Sequence, residues 1–404
     1  KSWGRLGMKS EWKRLSLGEI TENVIDCRGK TPKKLGGDWS ESGYRALSAK
    51  NIKTGRIVQL DTIRYINDEM YKRWMKEEVQ RGDILITSEA PFGQIFFWDS
   101  EEKIVLSQRL FCVRIKPEYD ARFIYYYMTT PAFQSELEGR ATGTTVIGLR
   151  QPELMKCVIR CPRIQEQKAI ATVLSAIDAK IIVNEKLNDN LYAQAKAIFD
   201  DHFINIDAIP AGWRKGNLLD IANYLNGLAM QKFRPQRNEI GLPVLKIKEL
   251  RQGSCDDSSE LCSLSIKPEY IIHDGDVIFS WSGSLLVDIW CGGICGLNQH
   301  LFKVTSDVYD KWFYYLWTAH HLARFIAIAA DKATTMGHIK REELAKAEVL
   351  IPCEEDYASL NSIMQLIFEL IISNRIESRK LAALRDELLP KLMSGEIDVS
   401  AVQP

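Results

Sequence analysis

The sequence predicts a duplicated α/β (α+β) protein, in which two globular domains are separated by two long antiparallel coiled-coil helices with pseudo-two-fold symmetry. Two observations predict this fold class. The first is an internal repeat with a period of about 190 residues in a chain of 404. The second is a long segment of helical periodicity that follows the mixed region of each repeat and contains no proline before Pro390.

The repeat is visible as short motifs that return in the same order. They are GDILI at 82–86 and GDVIF at 275–279, SQRLF at 107–111 and NQHLF at 298–302, and FIYYY at 123–127 and WFYYL at 312–316. Single matches of this length arise by chance, but an ordered series with a slowly drifting offset indicates duplication.

Each repeat begins with a region of short β-rich runs, such as 84–87, 94–98 and 110–115, separated by Gly, Pro and Asn turns. Such runs are typical of strands in an α/β or mostly β domain. We therefore divide the chain into a first domain at 8–163, a long helix with linker at 164–210, a second domain at 211–352, and a second helix with tail at 353–399.

The helical segments are predicted over about 165–202 and 357–393. At about 1.5 Å per residue, 38 residues make a rod of roughly 57 Å. Steps of three and four select a narrow seam that is apolar at its ends and polar at its centre. The predicted helix-pairing positions are Ile170, Leu174, Ile177, Ile181, Asn184 and Leu191 in the first helix, and Leu360, Met364, Ile367, Ile371, Asn374, Leu381 and Leu388 in the second.

A narrow seam cannot be buried by one helix alone, so the matching seam is the expected partner. Asn184 and Asn374 fall at equivalent seam positions, where a buried amide costs stability but fixes register. The alternative is that each helix packs only on its own domain.

Composition excludes several classes of protein. Lys+Arg and Asp+Glu both number 53, and the halves divided at Ala211 carry +4 and −4, so neither half is a basic module on average. No run of 18 apolar residues predicts a membrane helix, and no secretory leader is expected. Nine scattered cysteines predict a reducing cytoplasm rather than a disulfide framework.

Basic clusters recur in the same position of both repeats. They comprise Arg28, Lys30, Lys33, Lys34, Arg45, Lys50 and Lys53 in the first half, and Lys232, Arg234, Arg237, Lys246, Lys248 and Arg251 in the second. Cations beside polar and aromatic side chains suit contacts to DNA phosphates and base edges. A solvated surface loop is the alternative, and recurrence in both halves favours binding.

A second candidate precedes a short polar helical stretch in each half. It combines Arg140 and Arg150 with Thr144 and Thr145, and Lys340 and Arg341 with Lys332, Thr334 and Thr335. These groups are able to clamp a nucleic-acid backbone. Ordinary helix capping by threonine explains the hydroxyls about as well.

Catalytic and metal-binding motifs are missing from the sequence. Gly29, Lys30 and Thr31 resemble the end of a phosphate-binding loop, but Val24 stands where its first glycine is needed. No dinucleotide fingerprint, amino-methylation motif or complete zinc-ligand set is present. We therefore expect no catalytic residue, metal or cofactor on this chain.

The sequence resembles the specificity subunit of type I restriction-modification systems. The sharpest match is PRIQEQKAIA at 162–171, which is similar to the family's entry to its first conserved helix, and LLPKLMSGEI at 388–397 looks like the end of the second. The resemblance spans about 8–399. The second helix departs at its entry, where PCEED at 352–356 lacks the Glu-Gln pair.

The resemblance implies that the two globular domains are target-recognition domains, each reading one half of an asymmetric bipartite sequence in double-stranded DNA. The helices would set the spacing between the halves and dock two methyltransferase subunits. S-adenosylmethionine would be carried by those subunits, and ATP and Mg by restriction (translocase) subunits, in a bacterial or archaeal cytoplasm. The competing class is an assembly scaffold that binds two protein partners and no nucleic acid.

Overall fold

The computed structural model describes residues 12–143, 147–331 and 339–402. The chain divides into two compact units. The first runs to Asp178 and adds the C-terminal residues from Leu384, and the second comprises Ala179–Ala383. Each unit therefore contains one predicted globular domain together with a part of each long helix.

The first unit is built from eleven short strands and five short helices among its described residues, followed by the first long helix. The strands are β1 (Lys13–Ser16), β2 (Thr21–Asp26), β3 (Tyr44–Leu47), β4 (Ile52–Lys53), β5 (Arg56–Ile57), β6 (Arg64–Ile66), β7 (Ile84–Thr87), β8 (Ile95–Phe97), β9 (Ile104–Leu106), β10 (Leu110–Ile115) and β11 (Val158–Cys161). The helices are α1 (Leu17–Ile20), α2 (Asp68–Trp74), α3 (Ala121–Thr129), α4 (Pro131–Arg140), α5 (Gln151–Met155) and the long α6 (Ile164–Phe199).

Two sheets organise this unit. An antiparallel sheet has the order β2-β10-β7-β8, and a mixed sheet has the order β6-β3-β9 with β3 and β9 parallel. β10 lies between β2 and β7 in the first sheet, and because of this central position its residues are buried on both faces. The entry to this sheet is fixed by α1, where Ser16 and Glu19 form a reciprocal capping box.

The second unit repeats this plan. Its strands are β12 (Arg214–Asn217), β13 (Asn223–Asn226), β14 (Leu242–Leu245), β15 (Leu261–Cys262), β16 (Ile271–Ile272), β17 (Val277–Ser280), β18 (Leu286–Ile289), β19 (Cys295–Leu297), β20 (Leu301–Thr305) and β21 (Glu348–Ile351). Its helices are α7 (Leu218–Ile221), α8 (Ile247–Gln252), α9 (Lys311–Asp331), α10 (Arg341–Ala345) and the long α11 (Glu354–Met393).

The sheet orders confirm the predicted duplication. The antiparallel sheet β13-β20-β17-β18 matches β2-β10-β7-β8, and the parallel pair β14 and β19 matches β3 and β9. The capping box also returns, with Asn217 and Asp220 at the start of α7 in the places of Ser16 and Glu19.

The predicted long helices are confirmed with small changes at their ends. α6 has 36 residues, about 54 Å at the usual rise, and continues as a π-helical turn over Asp200–Ile204. α11 has 40 residues and contains Pro390 inside its last turn. It begins three residues before the predicted start because Glu354, Glu355 and Asp356 supply negative charge to its first turn.

Within the second unit, α6 and α11 pack antiparallel through buried amides. The Asn184 side chain is 1% exposed, and its Nδ2 donates to Oε2 of Glu377 at 2.7 Å. One turn later on α6, Asn188 Oδ1 accepts from Asn374 Nδ2 at 2.9 Å, and Asn188 Nδ2 donates to the Ile371 carbonyl at 3.2 Å. Because the partner number falls as the α6 number rises, the two helices run in opposite directions.

The apolar ends of the predicted seam lie in the cores of the two domains. Ile170 and Leu174 of α6 are buried in the first core together with Leu392 of α11. Leu360 and Met364 of α11 are buried in the second core, which also holds Ala195 and Phe199 of α6. Helix pairing at the centre and domain packing at the ends therefore both occur.

The remaining seam positions differ in how deeply they are buried. Ile181 and Ile371 are buried. The half-buried positions are Ile177, Leu191, Ile367, Leu381 and Leu388. In the part of the chain that the structure describes, no helix combines the length and apolarity needed to cross a bilayer.

Candidate nucleic-acid interface

A basic groove crosses the surface of the first domain. Its larger cavity, of about 490 Å³, is lined by Arg28, Gly29, Ser88, Glu89, Gln108, Arg109, Thr142, Gly148, Leu149 and Arg150. A neighbouring cavity of about 220 Å³ shares Gln108 and Arg109 and adds Lys30, Thr31, Trp39, Ala46, Ser48, Ala49, Lys50, Thr62, Arg64, Ala90 and Ser107. Of the residues that the structure describes, six cationic side chains and one carboxylate line this basic groove, so its net charge suits a polyanion.

Backbone hydrogen bonds join the loops that form the groove. Ser88 N donates to the Arg109 carbonyl at 2.9 Å, and Leu149 N donates to the Ser88 carbonyl at 3.0 Å. From the other side, Ala49 N donates to the Gln108 carbonyl at 3.1 Å. Side chains from four distant parts of the sequence are therefore presented on one connected frame.

Arg109 occupies the point where the two cavities meet. Its Nε is 2.9 Å from Oε1 of Glu89, and the two side chains are 47% and 34% exposed. Its φ of 66° lies in the left-handed region, as does the 40° of Ala90 in the same groove. For residues with a Cβ this conformation costs free energy, and such strain concentrates at functional sites.

Arg28 and Lys30 are held in place by the domain itself. Arg28 forms an ion pair with Asp26 at 2.7 Å, and its guanidinium lies 4.0 Å from the centre of the Phe111 ring. The ammonium of Lys30 donates to the Trp74 carbonyl at 2.6 Å. Arg28, which also donates to the Leu149 carbonyl at 3.4 Å, is therefore fixed beside the groove, while Lys30, which also donates to Cys27 Sγ at 3.9 Å, anchors the loop.

The other cations predicted in the first domain, apart from Lys50 and Arg150, do not line the groove. Arg45 forms an ion pair with Glu102, and Arg140 with Glu136. Lys34 donates to the Gly29 carbonyl at 2.8 Å. Lys33 and Lys53 are exposed outside the two cavities. The structure thus brings together Arg28, Lys30, Lys50 and Arg150 from the predicted set.

Sequence reasoning missed Arg64, Gln108, Arg109 and Glu89 as groove residues. In the sequence, Gln108 and Arg109 stand out only as part of the repeated motif at 107–111. Gln299 and His300 stand at the same place in the second repeat. A repeated motif in which one residue changes its charge indicates a contact residue that differs between the two domains, and this difference is the sequence signal for the site. Nothing in the local sequence distinguishes Arg64, whose guanidinium stacks 4.4 Å from the Trp39 ring.

The second domain repeats the backbone frame of the groove. Trp281 N donates to the His300 carbonyl at 3.4 Å, and Ile339 N donates to the Trp281 carbonyl at 2.9 Å. These bonds reproduce the Ser88–Arg109 and Leu149–Ser88 pattern of the first domain. By this register Trp281 takes the place of Ser88, and His300 that of Arg109.

The side chains on this shared frame are different. His300 Nδ1 lies 3.0 Å from the hydroxyl of Ser282, which takes the place of Glu89. Trp281 Nε1 donates to Asn226 Oδ1 at 3.0 Å, and its ring lies 6.1 Å from that of His300. The hydroxyl of Ser282 and the imidazole of His300 therefore replace the Arg–Glu pair, and the indole of Trp281 replaces Ser88.

The cations predicted in the second domain are divided between ion pairs and open surface. Lys246 pairs with Glu260 at 2.6 Å, and the Lys248 ammonium donates to the Ser258 hydroxyl at 2.8 Å. Lys340 directly follows Ile339 and so borders the Trp281 frame, as Arg150 follows Leu149. The exposed predicted cations are Lys232, Arg234, Arg237, Arg251, Lys340 and Arg341. Thr144, Thr145, Lys332, Thr334 and Thr335 lie outside the described residues.

Charged side chains also tie the globular domains to the long helices within each unit. In the first unit Asp178 of α6 accepts from Arg385 of α11 at 2.8 Å and from the Tyr126 hydroxyl at 2.6 Å. Burial, together with the negative charge of Asp178, raises the pKa of Tyr126 well above its usual value, so this hydroxyl stays a donor. Among the described residues, no cluster of three or more His, Cys, Asp or Glu side chains could hold a metal ion.

Comparison with known proteins agrees with this architecture. Residues 9–193 match the family model of the type I restriction modification DNA specificity domain. The specificity subunit of the type I restriction enzyme MjaIX from Methanocaldococcus jannaschii is 26% identical over 361 residues, covering 83% of this chain and 82% of that protein. The EcoKI specificity subunit of Escherichia coli is 22% identical over 410 residues, covering 88% and 86%.

A solved structure shares the fold. The crystal structure of the type I restriction-modification S subunit from M. genitalium superposes with a TM-score of 0.58 at 16% identity, covering 96% of this chain and 97% of that one. Residues 9–193 belong to the type I restriction modification DNA specificity domain family, and over most of its length the chain is similar to specificity subunits of type I restriction enzymes.

Proposed function

We propose that this chain reads an asymmetric, bipartite sequence in double-stranded DNA, with one half-site for each globular domain. The observation that carries this proposal is the pair of equivalent frames with different side chains, Ser88, Glu89 and Arg109 against Trp281, Ser282 and His300. A shared scaffold with altered contact residues suits two readers of different sequences, because base identity is read by side-chain donors and acceptors in the major groove.

The basic groove supplies the sequence-independent part of binding. Lys50, Arg64 and Arg150 line it on either side of Arg109. Contacts of such cations to phosphates fix position and orientation, while the central residues contact base edges. A scaffold that binds only proteins would not require this concentration of positive charge, so the groove favours DNA recognition over the scaffold alternative.

The long helices fix the distance between the half-sites. Their buried Asn184 and Asn374 resist sliding of one helix along the other, since sliding breaks the Asn184–Glu377 and Asn188–Asn374 hydrogen bonds. A constant register implies a constant spacer in the recognised sequence.

The same helices dock two methyltransferase subunits. Large apolar side chains face solvent on the described parts of both helices within the second unit. They are Ile182, Val183 and Leu187 on α6, and Ile363, Leu366 and Leu370 on α11. Apolar side chains grouped on exposed helices mark protein interfaces. We assign S-adenosylmethionine to the methyltransferase subunits, ATP and Mg to the restriction subunits, and a non-catalytic role in a bacterial or archaeal cytoplasm to this chain.

The proposal is tested by co-expressing the chain with the methyltransferase subunit of its own system and mapping N6-methyladenine across the host DNA. We expect a split motif with a constant gap, and replacing one globular domain is expected to change one half of it. A continuous motif would overturn the two-reader assignment. Absence of methylation that depends on the chain, with both proteins folded and associated, would support the scaffold.

A further inference from the structure

The Arg109–Glu89 pair has a geometry that suits one particular base pair. The ion pair of Arg109 with Glu89 joins Nε to Oε1 at 2.9 Å, and within the described parts of the chain the two terminal nitrogens of Arg109 donate no hydrogen bond. The side chain is about half exposed and sits on a turn whose φ is fixed at 66°. Glu89 thus orients the guanidinium at Nε, and the terminal nitrogens are available to donate hydrogen bonds to a ligand.

We propose that Arg109 and Glu89 together read a G·C base pair in the half-site of the first domain, an inference that rests on the proposed function. The open edge of an arginine donates two hydrogen bonds to O6 and N7 of guanine, and a carboxylate accepts from N4 of cytosine. The pair therefore matches both bases of one base pair from the major-groove side.

A phosphate contact is a poorer match for the same residues. The Glu89 carboxylate would lie within a few ångströms of any phosphate bound by Arg109, and like charges at that distance repel. Lys50 and Arg64 line the same groove, and among the described residues Glu89 is the one carboxylate that lines either cavity. Phosphates are better placed against those cations, with Arg109 directed at a base.

The second domain lacks this reader. His300 and Ser282 occupy the equivalent positions, and their side chains are bonded to each other at 3.0 Å. His300 does not share the left-handed φ of Arg109. The G·C contact therefore belongs to one half-site only, which makes the assignment testable within a single motif.

The test compares Arg109→Gln and Glu89→Gln with Arg81→Gln in the co-expressed complex. Arg81 is a matched control because it forms an ion pair with Asp99 at 2.7 Å in the same domain, outside the groove. Methylation motifs are mapped for each variant, and rates are measured on duplexes carrying 7-deazaguanine, which lacks N7, at each guanine of the motif in turn. Thermal unfolding, with Arg109→Lys as a second variant, checks that the domain is folded.

For the unmodified chain, we expect one 7-deazaguanine position to lower methylation by roughly 3- to 10-fold, because the analogue removes one of the two hydrogen bonds of a bidentate contact and leaves O6 in place. Arg109→Gln should relax the motif at that position only and become insensitive to the analogue there, while Arg81→Gln behaves as the unmodified chain. An unchanged motif in Arg109→Gln would overturn the inference. So would uniform weakening on all sequences with a shallower salt dependence, which is the signature of a phosphate contact. Failure of the proposed function would look different, because the unmodified complex would then yield no split motif.

Discussion

Arg379 of α11 donates to both carboxylate oxygens of Asp274, at 2.8 Å each, and to the Cys291 carbonyl at 2.7 Å. This bidentate pair joins a long helix to the loop before β17 within the second unit. A second pair repeats the connection, since Arg375 donates to both oxygens of Asp288 at 2.8 and 2.7 Å. Two planar contacts from one helix resist rotation of the recognition domain, because bidentate arginine pairs fix direction as well as distance.

Replacing Asp274 by Asn is expected to lower the free energy of unfolding by about 1–2 kcal/mol at neutral pH, since a partly buried guanidinium loses its charged partner. Urea unfolding monitored by tryptophan fluorescence measures this change. The control is Asp68→Asn, whose partner Lys72 is 2.6 Å away but whose pair is largely exposed, so that this substitution should have a clearly smaller effect. Equal effects of the two substitutions would contradict a special role for the Asp274 contact.

The same carboxylate predicts a pH dependence. Partial burial acts to raise the pKa of Asp274, but donation from Arg379 and from the Gly293 amide outweighs it, so the pKa lies below its usual value. A depressed carboxyl pKa stabilises the fold above the unfolded-state pKa of about 3.9, and this contribution is lost as pH falls through the folded-state value. The stability difference between the unmodified chain and Asp274→Asn should therefore shrink when urea unfolding is repeated near pH 3. A difference that stays constant with pH would mean that Asp274 does not titrate as inferred.

Phosphate contact by the basic groove predicts a change in salt dependence. Lys50→Ala and Arg64→Ala should each weaken DNA binding on all sequences and reduce the slope of log affinity against log salt by about 0.9. Lys53→Ala is the matched control, because Lys53 is equally cationic and exposed but lies outside both cavities. Fluorescence anisotropy of the methyltransferase complex on duplex DNA at several salt concentrations gives the slopes. A parallel shift without a change in slope would remove these two residues from the phosphate contacts.

Periodicity in the sequence was sufficient to predict those strands and helices whose spacing of apolar residues is local. The strand at 110–115 and the two long helices follow directly from apolar spacing, and the repeat showed that the fold is duplicated. The groove was only partly predictable, because it depends on contacts between residues far apart in sequence. Ser88 and Arg109 are joined by a backbone bond, and the left-handed φ of Arg109 follows from that turn rather than from its residue type. Charge counting selected Arg45, whose partner Glu102 is 57 residues away and invisible to local reasoning.

The two-reader arrangement predicts that changes in the second domain act on one half-site. His300→Ala removes an imidazole bonded to Ser282 and adjacent to Trp281, so base preference should relax at one or two positions. The affected positions should lie in the half of the motif that Arg109→Gln leaves intact. His273→Ala is the control, since His273 lies in the same domain but outside this frame. If His300→Ala weakened base preference in both half-sites, the two domains would not recognise their half-sites independently.

The helix register predicts a dependence of the DNA spacer on helix length. Inserting seven residues into α6 between Asn184 and Asn188, with seven at the facing position of α11 between Asn374 and Glu377, adds about 10.5 Å to each helix while keeping the seam in phase. Because successive base pairs are about 3.4 Å apart, the gap between half-sites should lengthen by roughly three base pairs. Methylation mapping of the co-expressed variant measures the new gap directly. The control carries the insertion in α6 alone, which breaks the Asn188–Asn374 pairing and should reduce methylation without defining a new gap. If the double insertion methylates the original motif with its original gap, the helices do not set the spacing, and the distance must instead be fixed by the partner subunits.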